Sequence, residues 1–580
     1  MIRVGTYCLH LTISLVGVCA CGGCTWLYED RQKLDLGVDP TWGPLADSAA
    51  YRDTIGAYTY YEGLRPMRVR GYGLVVGLGK NGSRDCPRNM YDRLVQSLYK
   101  QHEFASTVVG ITRITPEQLI NDIDTAVVVV QGEIPPAATT GARFDVAVMA
   151  LPGTQTKSLR GGRLYTTELH IFRKVSTTAA ITGQILARAS GPVFVNPFSE
   201  GESATRSNPL EGIIIGGGEA VTDRRVRLVL LEASYQRARQ IRDRINAYFP
   251  GPRPIADAIS PSFIRLQVPQ KHQGDSAHFL ALVRALYLSR DPKFQATRVR
   301  MLAEELTRPD APHSQIALAL EGLGRTASPL LNELYTHPKD HVSFHAAAAG
   351  LRLGDHIAGD AMAMQARNPT SEYRFQAIRA LGRAEGMAGA AITLRELLHD
   401  KDPRVQIAAY EALIERNDPT IRSARIAADN FVLDSVPTQG PNKFMYVKRS
   451  GSRRIALFGD ELRCSPPVFY RAPDGSLMIN ASPGDEALTL LRVVVPSGDT
   501  SSPISAPLEL PGLIRLMGSE ADIGLDGEVV GLGLDYGAVT RTLYHLCTDR
   551  SVDAKFILEQ PNAAELFGPP QPGGRPESEL

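Results

Sequence analysis

The stretch Glu62-Gly-Leu-Arg-Pro-Met-Arg-Val-Arg-Gly-Tyr-Gly-Leu-Val-Val-Gly-Leu-Gly-Lys-Asn-Gly-Ser83 joins an extended apolar segment to a dense run of glycines. Residues 72–78 read as a buried strand, bounded by glycines that can take backbone angles a Cβ would forbid. Gly77, Gly79 and Gly82 spell G-x-G-x-x-G after that strand and before the helix-like run 89–100, which is the outline of a dinucleotide loop. Such a loop needs a ribose-binding carboxylate closing the next strand about 20 residues on. The following apolar run, 106–110, ends instead in Ile111-Thr112-Arg113. Nucleotide binding is therefore disfavoured and no cofactor is expected.

Moving outward, the helix-like run carries Met90, Leu94, Leu98 and Tyr99 as an i, i+4, i+8 stripe. Residues 125–131 form a continuous apolar strand that Gly132 to Pro136 should end by removing backbone donors. Residues 141–149 alternate inward Phe144, Val146 and Val148 with outward Arg143, Asp145 and Ala147. Next comes Lys157-Ser158-Leu159-Arg160-Gly161-Gly162-Arg163, read physically as a basic turn between two strands, a hairpin tip rather than a phosphate nest. Farther on, residues 226–231 read as a strand, and the helix after it keeps Ala238, Ile241, Ile245 and Phe249 on a 3.6 period.

Two of these strings, in order, resemble the signatures of the bacterial flagellar P-ring protein family. The first is the strand-loop motif of Gly71, Tyr72, Gly73, Leu74 and Gly77, preceded by Gly63-Leu64-Arg65. The second is DVAVMALPGTQTKSLRGGRLYTTEL over 145–169, which contains Lys157, Ser158, Leu159, Arg160, Gly161 and Gly162. Residues 207–220, the strand and helix over 226–249 and the segment 256–269 are similar to later family elements, although the family's arginines are missing from 207–220. The resemblance runs over about 51–288. It implies a structural subunit that self-associates as a ring around the flagellar rod in the cell envelope, touches rod and outer-ring proteins and peptidoglycan, and serves motility.

From about residue 295 to 417 the β signal vanishes, and Ala-rich helices recur about every 30 residues around Leu318, Ala347, Ala377 and Ala408. This is an α-solenoid, and its last copy resembles the HEAT-type repeat, with Asp402 as N-cap and Pro403 at the first helical position. Solenoid repeats contact mainly their neighbours, so the segment is expected to be separable, and its elongated face should hold another macromolecule. His341, His345 and His356 fall here without partners at ligand spacing, so no metal is expected. Beyond 430 the β pattern returns, with a hairpin over 468–479 turned at Asp474-Gly475 and a closing helix-rich run over 536–567.

The chain has 580 residues, too many for one core, with 43% hydrophobic and 22% charged residues and a formal net charge of +1. That balance gives no reason to expect nucleic acid, and the arginines between 224 and 244 interleave with acids as a solvated helix face. Arg3 followed by an apolar run over 9–18 has the shape of a secretory leader. Val18-Cys19-Ala20 before Cys21 resembles a lipobox, which makes Cys21 the expected lipid attachment, with Cys24 or plain signal-peptidase cleavage as the alternatives. Export places Cys86, Cys464 and Cys547 in an oxidising compartment, where Cys464 with Cys547 is the preferred bridge.

The expected fold is multidomain α+β, with ring-subunit β-rich and αβ domains interrupted by a HEAT-like α-solenoid insertion. The order is a lipoprotein-type signal peptide (1–20), a tether (21–50), a P-ring-like α+β region (51–288), the solenoid (289–425), a C-terminal β-rich region that completes the ring fold (426–567) and a disordered tail (568–580). No G-x-S-x-G, H-E-x-x-H or Walker lysine is present, so no enzyme is expected. The alternative is a non-flagellar envelope lipoprotein that keeps the ring-subunit fold as a binding scaffold.

Overall fold

The structure is a computed structural model that describes residues 51–64, 66–105, 115–171, 184–196, 208–427, 430–439, 442–473, 475–494, 499–500, 503–520 and 531–559. Cys21 and the leader, tether and tail lie outside them, as does Asp474. A short helix α1 (Ile55–Tyr58) leads into β1 (Thr59–Glu62) and β2 (Met67–Val76), followed by α2 (Arg88–Ala105) and α3 (Pro116–Ile120). Then come β3 (Ala126–Ile134), β4 (Arg143–Ala150), β5 (Arg163–Ile171), β6 (Ile185–Pro192) and β7 (Glu211–Ala220). These close with β2 into an antiparallel barrel ordered β2-β3-β4-β7-β6-β5, which leaves no free edge.

Alternation explains the barrel: Phe144, Val146 and Val148 of β4 point inward to meet Val128 and Val130 of β3 in one core. β3 runs three residues beyond the apolar segment that marked it, because Gly132 and Glu133 still pair with β2 and only Pro135 removes the donor. On α2, Leu94 and Leu98 are buried against the barrel's outer face, whereas Tyr99 lies in the open and donates to Glu117 at 3.1 Å.

β8 (Val226–Leu230), α4 (Tyr235–Tyr248), β9 (Ala256–Ala258), β10 (Phe263–Leu266) and α5 (Ser276–Ala285) complete a second unit. Its sheet is ordered β1-β8-β10-β9, and Leu228, Ile241, Ile264 and Phe279 fill its core. Four helical pairs follow: α6 (Pro292–Leu306) with α7 (His313–Leu323), α8 (Ser328–Leu334) with α9 (Asp340–Arg352), α10 (His356–Arg367) with α11 (Arg374–Gly382), and α12 (Ala388–Leu397) with α13 (Pro403–Glu415). Asp402 caps α13 by accepting from Arg404 N–H at 2.9 Å, with Pro403 in the first turn where no donor is needed.

The chain then returns to β structure with β11 (Arg422–Ile426), β12 (Phe431–Val436), β13 (Phe444–Val447) and β14 (Arg454–Phe458). A second sheet is built from β15 (Val468–Arg471), β16 (Leu477–Ala481), β17 (Ala487–Val494), β18 (Asp499–Thr500) and β19 (Ile504–Pro507). The final elements are α14 (Leu510–Gly518), α15 (Tyr536–Thr548) and β20 (Lys555–Leu558). Within the run expected to close in helices, the described residues include a strand after α15, which adds parallel to β13 in a sheet ordered β11-β12-β14-β13-β20.

Two shared cores decide how the pieces relate. Phe194, Ile213 and Ile215 of the barrel region pack into the core of the C-terminal β region, and Gly451 N–H lies 3.4 Å from the Asp145 carboxylate of β4. The barrel thus reaches across the helical pairs in sequence to the region after them, as an insertion requires. Separability does not follow, however. The helical core is continuous with Tyr51 and Tyr287 beside α5 at one end and with Phe444, Tyr446 and Phe458 of the C-terminal sheet at the other, so the end helices bury apolar faces against other structure and not against water.

Candidate assembly site

The glycine stretch lies along β2 and its exit. Leu74, buried, and Tyr72, half-buried, share the outer face of β2 and pack beside Leu94 and Leu98. The pairing of β2 with β5 slips in register between Arg70 and Val75, and there β5 comes so close that a Cβ on Gly71 would strike the Glu168 carbonyl and one on Gly73 the Thr167 hydroxyl. These glycines serve close strand approach, which a side chain would prevent. Beyond β2, Gly77 has φ +78°, and the Gly77 and Gly79 N–H groups donate to the carboxylate of Asp124. The place a phosphate would take in a nucleotide loop is thus filled by the chain's own carboxylate, and the strand belongs to an antiparallel barrel.

The second motif meets the first at that barrel end. The Asn81 carbonyl accepts from the N–H groups of Lys157 at 2.8 Å and Ser158 at 3.4 Å, and the Pro209 carbonyl accepts from Leu159 N–H at 2.8 Å. Leu159 is fully buried, and a Cβ on Gly162 would collide with Val75 and Leu78. Ser158 Oγ accepts from Arg160 N–H at 3.1 Å and fixes the turn. Lys157, Gly161 and Arg163 are exposed, while Arg160 is half-buried.

The hairpin expected here is absent. β4 and β5 are not neighbours in the barrel, so residues 151–162 cross its end and plug it with Leu159. Alternation within the two strands could not reveal this, because it reports which face is buried and not which strand is adjacent. A Cβ on Gly161 would lie 3.8 Å from Asp535 Oδ2 at the N-cap of α15, so the crossing also lies against the C-terminal region.

Sequence reasoning missed Asp124, Asp535 and Arg244. Asp124 acts at a separation of 45 residues, where no local spacing exists to detect it. Asp535 is legible only as an N-cap, its Oδ1 accepting from Ala538 N–H at 3.0 Å. Arg244 corrects the solvated face read for it and its neighbours: it turns inward and donates to the Tyr287 and Gly322 carbonyls at 2.7 and 3.2 Å, joining α4 to the first helical pair.

The remaining candidates are placed as follows. Cys464 and Cys547 are free thiols; burial pushes each up to about 12, and Cys464 adds to the shift on Cys547. The His313 ring stacks on that of His345 and lies tilted against that of His341, and His356 is exposed at the start of α10. Among the described residues no group of three or more His, Cys, Asp or Glu is placed to hold a metal, and no helix is long and apolar enough to cross a membrane. The exposed side chains of the crossing at this barrel end include Lys157 and Arg163.

Residues 55–299 match the sequence profile of the flagellar P-ring protein, and residues 360–426 match that of HEAT repeats. The chain is 30% identical over 287 residues to the flagellar P-ring protein of Caulobacter vibrioides, covering 47% of this chain and 71% of that one. It is 33% identical over 244 residues to the flagellar P-ring protein of Rhodopseudomonas palustris strain TIE-1, covering 40% of this chain and 59% of the relative. Against that of Geobacter metallireducens it is 30% identical over 242 residues, covering 40% and 60%. The chain thus spans about six-tenths of the length of the latter two relatives.

Proposed function

Because the chain belongs to the flagellar P-ring protein family, we propose that it is a structural subunit of a P-ring-like assembly around the flagellar rod in the bacterial cell envelope. Copies associate head to tail through unlike faces, and the rotation between neighbours closes a ring. The observation that carries this reading is the convergence of both family motifs on the Asn81 carbonyl, which leaves Lys157, Gly161 and Arg163 presented together from one rigid barrel end. The role is mechanical and not catalytic, and the contacts extend to rod, outer-ring proteins and peptidoglycan. Acylation at Cys21 would tether the subunit to a membrane.

The test replaces Lys157 and Arg163 with Glu and leaves out half-buried Arg160. Light-scattering mass should fall from oligomer to protomer and swimming halos should shrink, while stability changes by no more than about 0.5 kcal/mol, since exposed charges contribute little. Unchanged mass in the double variant would reject this face as the subunit contact.

The neighbouring thiols belong to the same reading. With both groups near 12 the thiolate is scarce in the folded core, so the proposed Cys464–Cys547 bridge would have to form while the chain is still folding in an oxidising envelope. Closing that loop would stabilise by about 4 to 5 kcal/mol in the chain-entropy account. Non-reducing peptide maps of envelope-purified protein should recover the two as one linked peptide; two separately alkylated peptides would exclude the bridge.

A further inference from the structure

The sheet β1-β8-β10-β9 is covered on one side only. Leu228, Leu230, Ile264 and Leu266 turn toward α4 and α5 and share a core with Ile241 and Phe279. The alternate positions look outward, and an antiparallel sheet that faces water there normally carries polar side chains. Here the register sets Tyr60 of β1 beside Val229 of β8 and Val229 beside Phe263 of β10. Ile259 follows just past β9, one step beyond the pair of Ala258 with Ile264. Tyr60, Ile259 and the nearby Leu231 are 41%, 43% and 48% exposed, and Val229 and Phe263 are half-buried. An apolar row thus crosses the whole sheet in the open, where single exposed residues would need no account.

The neighbouring row is Glu62, Arg227, Arg265 and Asp257. Arg227 lies 3.5 Å from Glu62 and 5.4 Å from the centre of the Phe263 ring. Two carboxylates and two guanidinium groups leave this row without net charge, so it draws neither a polyanion nor an anionic lipid surface.

This sheet and the crossing over 151–162 stand at opposite ends of the barrel. β1 leads into Met67 of β2, which pairs with Ile134, whereas Val76 at the other end of β2 pairs with Arg163, where the crossing enters β5. Arg224, just before β8, fastens the sheet to the first end by donating to the carbonyls of Gly63, Ile134 and Pro135. A head-to-tail contact joins two unlike faces of one subunit, and the crossing is one of them. Its exposed residues include Pro152, Gly153 and Gly161, which let a flat sheet approach, and Lys157, whose alkyl stem can cover an apolar row while its ammonium meets an aromatic face.

We propose that the bare face of β1-β8-β10-β9 receives the barrel-end crossing of a second copy, with the neighbour's Lys157 stem along the apolar row and its ammonium over Tyr60. The contact rests on the ring reading and supplies its second face.

The test compares light-scattering mass for the full-length native chain, the Lys157→Glu/Arg163→Glu variant and a Tyr60→Ser/Ile259→Ser variant. Each variant alone should dissociate roughly tenfold or more readily than the native chain. Mixed in equal amounts they should form pairs, a roughly twofold rise in mass with no further growth, because the intact crossing of one meets the intact sheet of the other. Independently of any variant's folding, a photo-crosslinker at position 60 of the otherwise native chain should label residues 151–162 of another copy. A sheet variant that assembles like the native chain, a mixture that stays single, or labels confined to one copy would overturn the contact and leave the ring reading standing. Pairs formed by the Lys157→Glu/Arg163→Glu variant alone would assign the sheet to a two-fold contact between identical faces and overturn it likewise. A native chain that stays single removes the ring reading and this contact with it.

Discussion

Asp434→Ala should lower the stability of the full chain by about 3–5 kcal/mol, the usual cost of removing one partner of a buried ion pair. Asp434 is fully buried on β12 and accepts from Tyr410 Oη of α13 at 2.6 Å, from Arg454 Nη1 of β14 at 2.7 Å and from Ser423 Oγ of β11. Its loss strands a guanidinium and a buried phenol at the seam between the last helical pair and the C-terminal sheet. Tyr410→Phe removes one donor of several and should cost about 1 kcal/mol. Urea midpoints measured on the native chain and the two variants check both, and an Asp434→Ala midpoint indistinguishable from native would show that the seam carries no such network.

The same seam predicts what excision does. Joining 288 to 430 with a flexible linker removes β11 from its sheet and exposes Phe444, Tyr446 and Phe458, which are 0–3% exposed in the intact fold. The shortened chain should be recovered insoluble, because a stacked aromatic face of that kind is an aggregation surface. A soluble product with a cooperative melt would reverse the conclusion.

The periodic parts of the fold were legible in the sequence. Phe144, Val146 and Val148 alternate into the barrel core, Ala238, Ile241 and Ile245 hold one face of α4, and the helical repeat announced itself by recurrent alanines. What stayed hidden depends on which elements meet. The β2–β5 pairing with its register slip closes the barrel across nearly 100 residues, and the crossing over 151–162 looked like a hairpin because its glycines are turn glycines in either topology. The site was half legible: its residues were named from the two motifs, but Leu159 as a plug, Asp124 as an internal anion and Asp535 across the seam are tertiary facts without local signals. The end repeats misled for a related reason. An apolar outer face on a terminal helix reads like any repeat until the sheet that covers it is known.

The helical segment should weaken as pH falls from about 6.5 toward 3. His345 of α9 packs against Phe344 and Tyr373 and stacks on His313 of α7 at 5.5 Å, with the His313 and His341 rings 4.6 Å apart. Burial first, then His313 and His341, depress the His345 imidazole from 6.5 to about 3, and His341 is lowered too, against a raising contribution from Asp340 and further lowering from Lys339 and His337. The folded form therefore binds a proton less readily than the unfolded form. Stability is fully present above the unfolded value near 6.5 and declines as pH drops, by roughly 2 kcal/mol between pH 7 and 5 from His345 alone. Few carboxylates titrate across that interval, so the decline belongs mainly to the histidines. His345→Gln removes the titration while keeping a polar side chain, and its urea midpoint should change less between pH 7 and 5 than that of the native chain. Parallel pH profiles for the two would mean that the stacked rings are already as easily protonated folded as unfolded.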